Sequence, residues 1–138
     1  MLVASLSFNG NAEEAFNFYK DAFGGTFKSL NRFSEMPGIE KMSEADKNKI
    51  MHVMLEGPHG VKLIGNDYMD FAGAPFLAGN NFSLTLLPDT RELADKLFNA
   101  LSAGGKVTMP IGEVFWGAYF GMFYDKFGIR WMINQEGK

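Results

Sequence analysis

Two stretches of the chain repeat, and a duplicated unit restricts the fold to architectures assembled from two copies of one supersecondary motif. Ala15, Phe18, Tyr19 and Ala22, followed by Gly24-Gly25, match Ala94, Leu97, Phe98 and Leu101, followed by Gly104-Gly105, with a one-residue slip before the glycines. The shared i, i+3, i+4, i+7 spacing is one apolar helix face, and the glycines supply the left-handed residue that ends a helix. Further on, Gly60-Val61-Lys62-Leu63-Ile64-Gly65-Asn66 aligns with Gly128-Ile129-Arg130-Trp131-Met132-Ile133-Asn134. In the same register Met51 to Leu55 falls on Tyr119 to Phe123, so each copy has a hairpin, turning at Pro58-His59-Gly60 or at Lys126-Phe127-Gly128.

Each copy therefore reads as βαβββ. The first strands are expected at Leu2 to Phe8 and Phe82 to Leu87, and each meets its helix at a junction, Asn9-Gly10-Asn11 or Pro88-Asp89-Thr90. Asn11 and Thr90 are the expected N-caps, with Glu13, Glu14 and Glu92 in the first turns. Second strands are expected at Thr26 to Arg32 and Lys106 to Met109. The offset between copies falls by about a dozen residues from the helix match to the strand match, so the first copy carries extra chain. That excess, Phe33 to Asn48, reads as a loop with a short helical turn capped by Ser43. The expected organisation is one domain, 1–138, with module one at 1–67, a linker at 68–80 and module two at 81–138.

Bulk composition narrows the chemistry. The absence of cysteine excludes disulfides, thiolate metal sites and a thiol nucleophile. A net charge of −3 with scattered Lys and Arg provides no basic stripe for nucleic acid. No segment approaches the length of an apolar membrane span, and Met1 to Phe8 does not resemble a signal peptide, so a cytoplasmic location is expected. Fourteen Phe and nine Met are many for 138 residues; they read either as an aromatic core with Met filling gaps or as an adaptable apolar pocket.

Duplicated βαβββ units of this kind resemble the vicinal oxygen chelate superfamily, which includes glyoxalase I, bleomycin-resistance proteins and extradiol dioxygenases. The chain is most similar to its PhnB-like branch. The residues that carry the likeness are Ser7 to Phe16, Phe33 to Pro37, Met51-His52-Val53, Phe115 to Gly121 and Asp125 to Asn134. The resemblance implies an α+β fold, two modules whose curled mixed sheets surround a cleft, and a homodimer; it implies no single reaction. Metal-dependent relatives place a His or carboxylate ligand on the first and last strand of each copy. Here the first strands offer Ser5, Ser7, Ser83 and Thr85, and the last strands Leu63 to Asn66 and Trp131 to Asn134. None is His, Asp or Glu, so the divalent-metal set does not carry over and no cofactor is expected.

His52, inside the apolar run Ile50 to Leu55, is the candidate catalytic residue: a general base if it faces the cleft, a structural histidine otherwise. His59 is expected to be solvent-exposed in its turn. Ser7 and Ser83 on the first strands are candidate substrate contacts. Arg32, with Phe33 beside it, offers a bidentate grip on an anion or a rim salt bridge. Phe115, Trp116 and Tyr119 suit a flat or apolar ligand, or serve ordinary packing or a dimer contact, and Glu113 is a cleft acid or a solvated carboxylate. An S-adenosylmethionine site usually needs a Gly-rich turn after the first strand of a parallel sheet, and Asn9-Gly10-Asn11 is too short for one. The expected partner is an unidentified small molecule. The expected function is metal-independent binding of that molecule; the alternative is a lyase, isomerase or dioxygenase of the superfamily, with His52 as base or as ligand of an irregular metal site.

Overall fold

The structure, a computed structural model, describes residues 1–69 and 73–137. The chain separates into two compact units, Met1–Leu77 and Ala78–Lys138. Part of the connection expected at 68–80, residues 70–72, lies outside the described residues.

The first unit contains β1 (Ala4–Phe8), α1 (Ala12–Phe23), β2 (Thr26–Arg32), α2 (Glu44–Lys47), β3 (Ile50–Glu56) and β4 (Lys62–Asp67). Its four strands form one mixed sheet in the order β1-β4-β3-β2, with β1 parallel to β4 and the other pairs antiparallel. The apolar stripe of α1 buries Ala12, Ala15, Phe16, Tyr19 and Phe23. Removing each large side chain of that stripe from water is worth about 1.5–3 kcal/mol. The helix stops where Gly24, at φ 75°, donates its N–H to the Lys20 carbonyl. Gly65 on β4 is where helix and sheet meet most closely: a Cβ there would lie 2.4 Å from Phe16 Cε1 and 2.8 Å from the Leu6 carbonyl.

The second unit repeats the plan with β5 (Leu84–Leu86), α3 (Arg91–Ser102), β6 (Lys106–Glu113), β7 (Tyr119–Tyr124) and β8 (Arg130–Gln135). Its sheet has the order β5-β8-β7-β6. Gly121 on β7 is the close-approach glycine here, since an added Cβ would stand 2.7 Å from Phe98 of α3. The α+β class and the two βαβββ modules are as the sequence predicts. β6 runs four residues beyond the expected Met109, through Pro110; its pairing with β7 is irregular between Met109 and Gly112, which spares a residue without an N–H from the ladder.

The caps depart from expectation at one helix. Thr90 caps α3, its Oγ1 accepting the Leu93 N–H at 3.1 Å, and Ser43 caps α2 through the Asp46 N–H at 3.1 Å. Asn11 makes no side-chain cap bond. The Ala12 N–H instead donates to Asp67 Oδ1 at 2.9 Å, while Asp67 Oδ2 accepts the Ile50 N–H at 2.8 Å. A carboxylate at the end of β4 thus ties the start of α1 to the start of β3. The sequence neighbour lost to a partner 55 residues away because that partner's two oxygens satisfy two backbone donors at once.

Candidate functional site

In each sheet one face carries the helix and the other is open. Gly65 faces Phe16, so its ladder partner Val53 shares the helix face, and the alternation of a strand turns Met54, Ile64 and Asn66 to the open face. Ser7 is paired with Asn66, and His52 with Asn31. One step beyond the last β3–β4 pair, the same register sets His52 across from Asn66. Ser7, Asn66, His52 and Asn31 therefore stand at one level across four strands, a polar row beside the level of Ser5, Ile64, Met54 and Ser29. Ser7 Oγ donates to Asn66 Oδ1 at 2.8 Å, and at the other end Asn31 Nδ2 donates to Glu35 Oε1 at 3.1 Å.

A pocket of about 440 Å³ opens beside the Ser7–Asn66 end of this row, lined by Ser7, Phe33, Met36, Met51, Asn66, Asp67, Tyr68 and Met69. A second recess of about 430 Å³ shares Met36 and Met69 and adds Ile39 and Met42 with the charged Lys41 and Asp46. Four of the nine methionines thus line two adjoining recesses. Two features of the sequence create them. The extra chain of the first copy, 33–48, supplies Phe33, Met36 and Met42. A register irregularity in β3, where Asn31 pairs with His52 but Arg32 with Ile50, leaves Met51 outside the regular ladder.

The pocket has little free charge. Among the described lining residues Asp67 alone is formally charged, and both of its oxygens accept backbone N–H groups. Arg32 turns away to Glu13, with Nη1 2.8 Å from the Asn48 carbonyl and 3.1 Å from Glu13 Oε1, and Nη2 2.8 Å from Glu13 Oε2. This hydrogen-bonded fork holds the Glu13 carboxyl below its usual range and raises the guanidinium further. Glu35, bonded to the Arg32 backbone N–H and to Asn31, is lowered too.

Of the predicted site residues, Ser7 and Phe33 meet in the pocket. His52 is half-buried, one residue from Met51, in the polar row but outside the lining. His59 is exposed, at φ 61° in the β3–β4 turn. The remaining candidates belong to the second unit. Ser83 precedes β5. Phe115 and Trp116 occupy the turn between β6 and β7, closed by Val114 N–H to the Ala118 carbonyl; they are 97% and 53% exposed, with rings 5.1 Å apart. Tyr119 faces α3, where its hydroxyl donates to Asp95 Oδ1 at 2.6 Å and its ring lies 4.7 Å from the Arg91 guanidinium. That bond raises the phenol above its ordinary value. Glu113 pairs with Arg91 at 2.8 Å. Met36, Met51, Tyr68 and Met69 escape sequence reasoning; the methionine count was the available signal, without positions attached.

On the first and last strands, where the resemblance places metal ligands, the candidate side chains are hydroxyls, amides and thioethers, poor donors for a divalent ion. In the first unit these are Ser7, whose hydroxyl proton is committed to Asn66, and Asn66 itself. In the second, β5 and β8 present Thr85, Met132 and Asn134. Among the described residues no three His, Cys, Asp or Glu side chains are grouped to hold a metal.

Duplicated βαβββ modules around helix-backed open sheets define a class, and the chain belongs to it: the Glyoxalase/Bleomycin resistance protein/Dioxygenase superfamily, whose family model matches residues 4–133. It is similar to Protein YjdN of Escherichia coli (strain K12), 31% identical over 133 residues that make up 94% of this chain and 90% of the relative. Protein PA1353 from Pseudomonas aeruginosa, 38% identical, superposes with a TM-score of 0.87 over 100% of this chain and 98% of its own. A Bacillus cereus protein described as a putative 3-demethylubiquinone-9 3-methyltransferase, PhnB protein, is 27% identical, with a TM-score of 0.77 over 97% and 98% of the two chains. The PhnB-like likeness read from the sequence is met in this neighbour. Among the described residues no helix is long and apolar enough to cross a membrane.

Proposed function

We propose that the chain is a PhnB-like small-molecule-binding protein that holds a neutral, largely apolar ligand in the first unit, without the divalent ion of its metal-dependent relatives. The observation that carries this reading is the pocket itself: Phe33, Met36, Met51 and Met69 surround about 440 Å³, the Ser7–Asn66 pair gives one polar end, and among the described lining residues the one formal charge is a carboxylate already bonded to backbone amides. That volume lies in the range of small-ligand sites, which are mostly apolar with a few placed polar groups. Methionine walls adapt to irregular ligands at low cost. In this pocket an anion would meet Asp67 and no cation among the described lining residues, Lys41 belonging to the adjoining recess.

The reading is tested by calorimetry with matched pairs of ligands, a neutral aromatic alcohol and the corresponding carboxylate. The alcohol binds and the carboxylate binds at least several-fold more weakly. Phe33→Ala and Asn66→Ala each weaken the alcohol by about tenfold, the loss of one aromatic contact or one buried hydrogen bond. Equal affinity for alcohol and carboxylate, or variants that leave binding unchanged, would refute it.

Two other reactions have less support. Methyl transfer, suggested by the description of the Bacillus neighbour, needs a cofactor loop, whereas β1 leads through Asn9-Gly10-Asn11 directly into α1 in a mixed sheet. Heat of binding on adding S-adenosylmethionine would overturn that judgement. Catalysis by His52 as a base draws on its place in the polar row, and is tested by His52→Ala against typical superfamily substrates.

A further inference from the structure

On the open face of the second sheet three methionines stand side by side. Met109 pairs with Met122 across β6 and β7, and Met122 pairs with Met132 across β7 and β8. Gly121 faces Phe98 of α3, so these neighbours of opposite parity lie on the face away from the helix. Directly paired side chains on adjacent strands start about 4.5–5.5 Å apart, and methionine has three rotatable bonds and no branch. Three thioether sulfurs can therefore converge above β7. All three residues are half-buried, enough to shield an ion without sealing it off.

The repeat shows that the architecture does not impose this row. The same level of the first sheet reads Ser29, Met54, Ile64 and Ser5, with one methionine. One level further along β8 lies Asn134, on the same face as Met132. Its amide nitrogen donates to Glu136 at 3.1 Å, which fixes which end is oxygen, and Oδ1 is buried without a hydrogen-bond partner among the described residues. Phe120, paired with Asn134, has Trp116 stacked edge-on at 5.4 Å, so an aromatic wall adjoins the row.

We propose that Met109, Met122 and Met132 form a site for a soft monovalent cation, Cu(I), with Asn134 Oδ1 as the neighbouring oxygen that favours positive charge. Thioethers select soft ions and bind hard divalent ones poorly, so this site differs in ion preference from the oxygen and imidazole sites of metal-dependent relatives, although Met132 and Asn134 stand on the last strand, where those relatives carry a ligand. It lies wholly in the second unit and does not depend on the pocket of the first. A thioether carries no proton to lose, so the affinity is independent of pH, unlike that of an imidazole site.

The test uses the full chain with Ag(I), a redox-inert analogue of Cu(I), in chloride-free buffer, read by native mass spectrometry and by NMR of 13C-methyl-labelled methionines. One Ag(I) binds per chain, the methyl signals of Met109, Met122 and Met132 move together, and the affinity is the same at about pH 5.5 and 7.5. Met122→Leu, close in volume and expected to fold, weakens binding by about 10- to 100-fold or more. The labelled wild-type protein decides the matter even if that variant fails to fold. Unmoved signals for these three residues, movement confined to Met36, Met42, Met51 and Met69, or an affinity that falls with pH through His52 or His59 would overturn the proposal.

Discussion

Asp67 and Gln135 occupy the same place in the two repeats, at the ends of β4 and β8, yet they do different work. Asp67 satisfies two backbone donors, whereas Gln135 is a donor itself, its Nε2 reaching the carbonyls of Asp89 and Glu136. The difference tracks the caps: Thr90 serves its own helix, and Asn11 does not. Asp67→Asn replaces one acceptor by a donor facing an N–H. It is expected to destabilise the chain by about 1–3 kcal/mol in urea unfolding, whereas Asn11→Ala costs little. Cost at Asn11 and none at Asp67 would reverse the assignment. Tyr119→Phe removes a bond to a carboxylate and is expected to cost about 1.5–3 kcal/mol, again by urea unfolding, without affecting ligand affinity. At this scale the sequence was least legible. Asn11 looked like a cap because its residue type favours one, but the choice of acceptor depended on a side chain brought in by the sheet.

The helices and hairpins were legible because their signals are local: a 3.6-residue apolar period ending in glycine, or an alternating run ending in a turn. Close approach of elements was not. Gly65 reads as a weak spot in a strand, while in the structure it is the space that Phe16 occupies. Gly65→Ala is expected to cost about 1–3 kcal/mol by overpacking, seen as a lowered Tm, whereas Ala at the exposed Gly79 changes little. The connection between α1 and the extra segment has its own signature, since Arg32 on β2 grips Glu13 on α1 and the Asn48 carbonyl. The Glu13 carboxyl is held below its unfolded-state value, about 4.3. Its contribution is therefore present above that pH and lost as pH falls through the lower folded value. Both partners are partly exposed, so the pair is worth about 0.2–1 kcal/mol at neutral pH. Stability measured from pH 6 down to about pH 3 should drop less steeply for Glu13→Gln than for the parent chain, and parallel curves would contradict the pairing.

For the whole molecule, the repeat was the legible part and the departures from it hold the candidate sites. Copy one alone has the 33–48 segment, and its methionines and Phe33 make the pocket; copy two alone has the methionine row. An internal repeat exposes the shared frame in sequence, but a pocket is a property of side chains far apart in the chain, such as Ser7, Met36 and Met69, whose convergence no local period encodes. His52 and Ser7 were visible as polar residues on apolar strands. Met51 was indistinguishable from core, and Met69 fell in the stretch read as a linker.

In the proposed function a neutral apolar ligand enters the first unit at Met36, Met51 and Met69. The most direct measurement is a titration of the 13C-methyl-methionine chain with 1-naphthol, followed by NMR. Saturable shifts are expected at those three methyls, and smaller ones when 1-naphthoate is used instead. Methyls that stay still at saturating naphthol, or that respond equally to the anion, would contradict it.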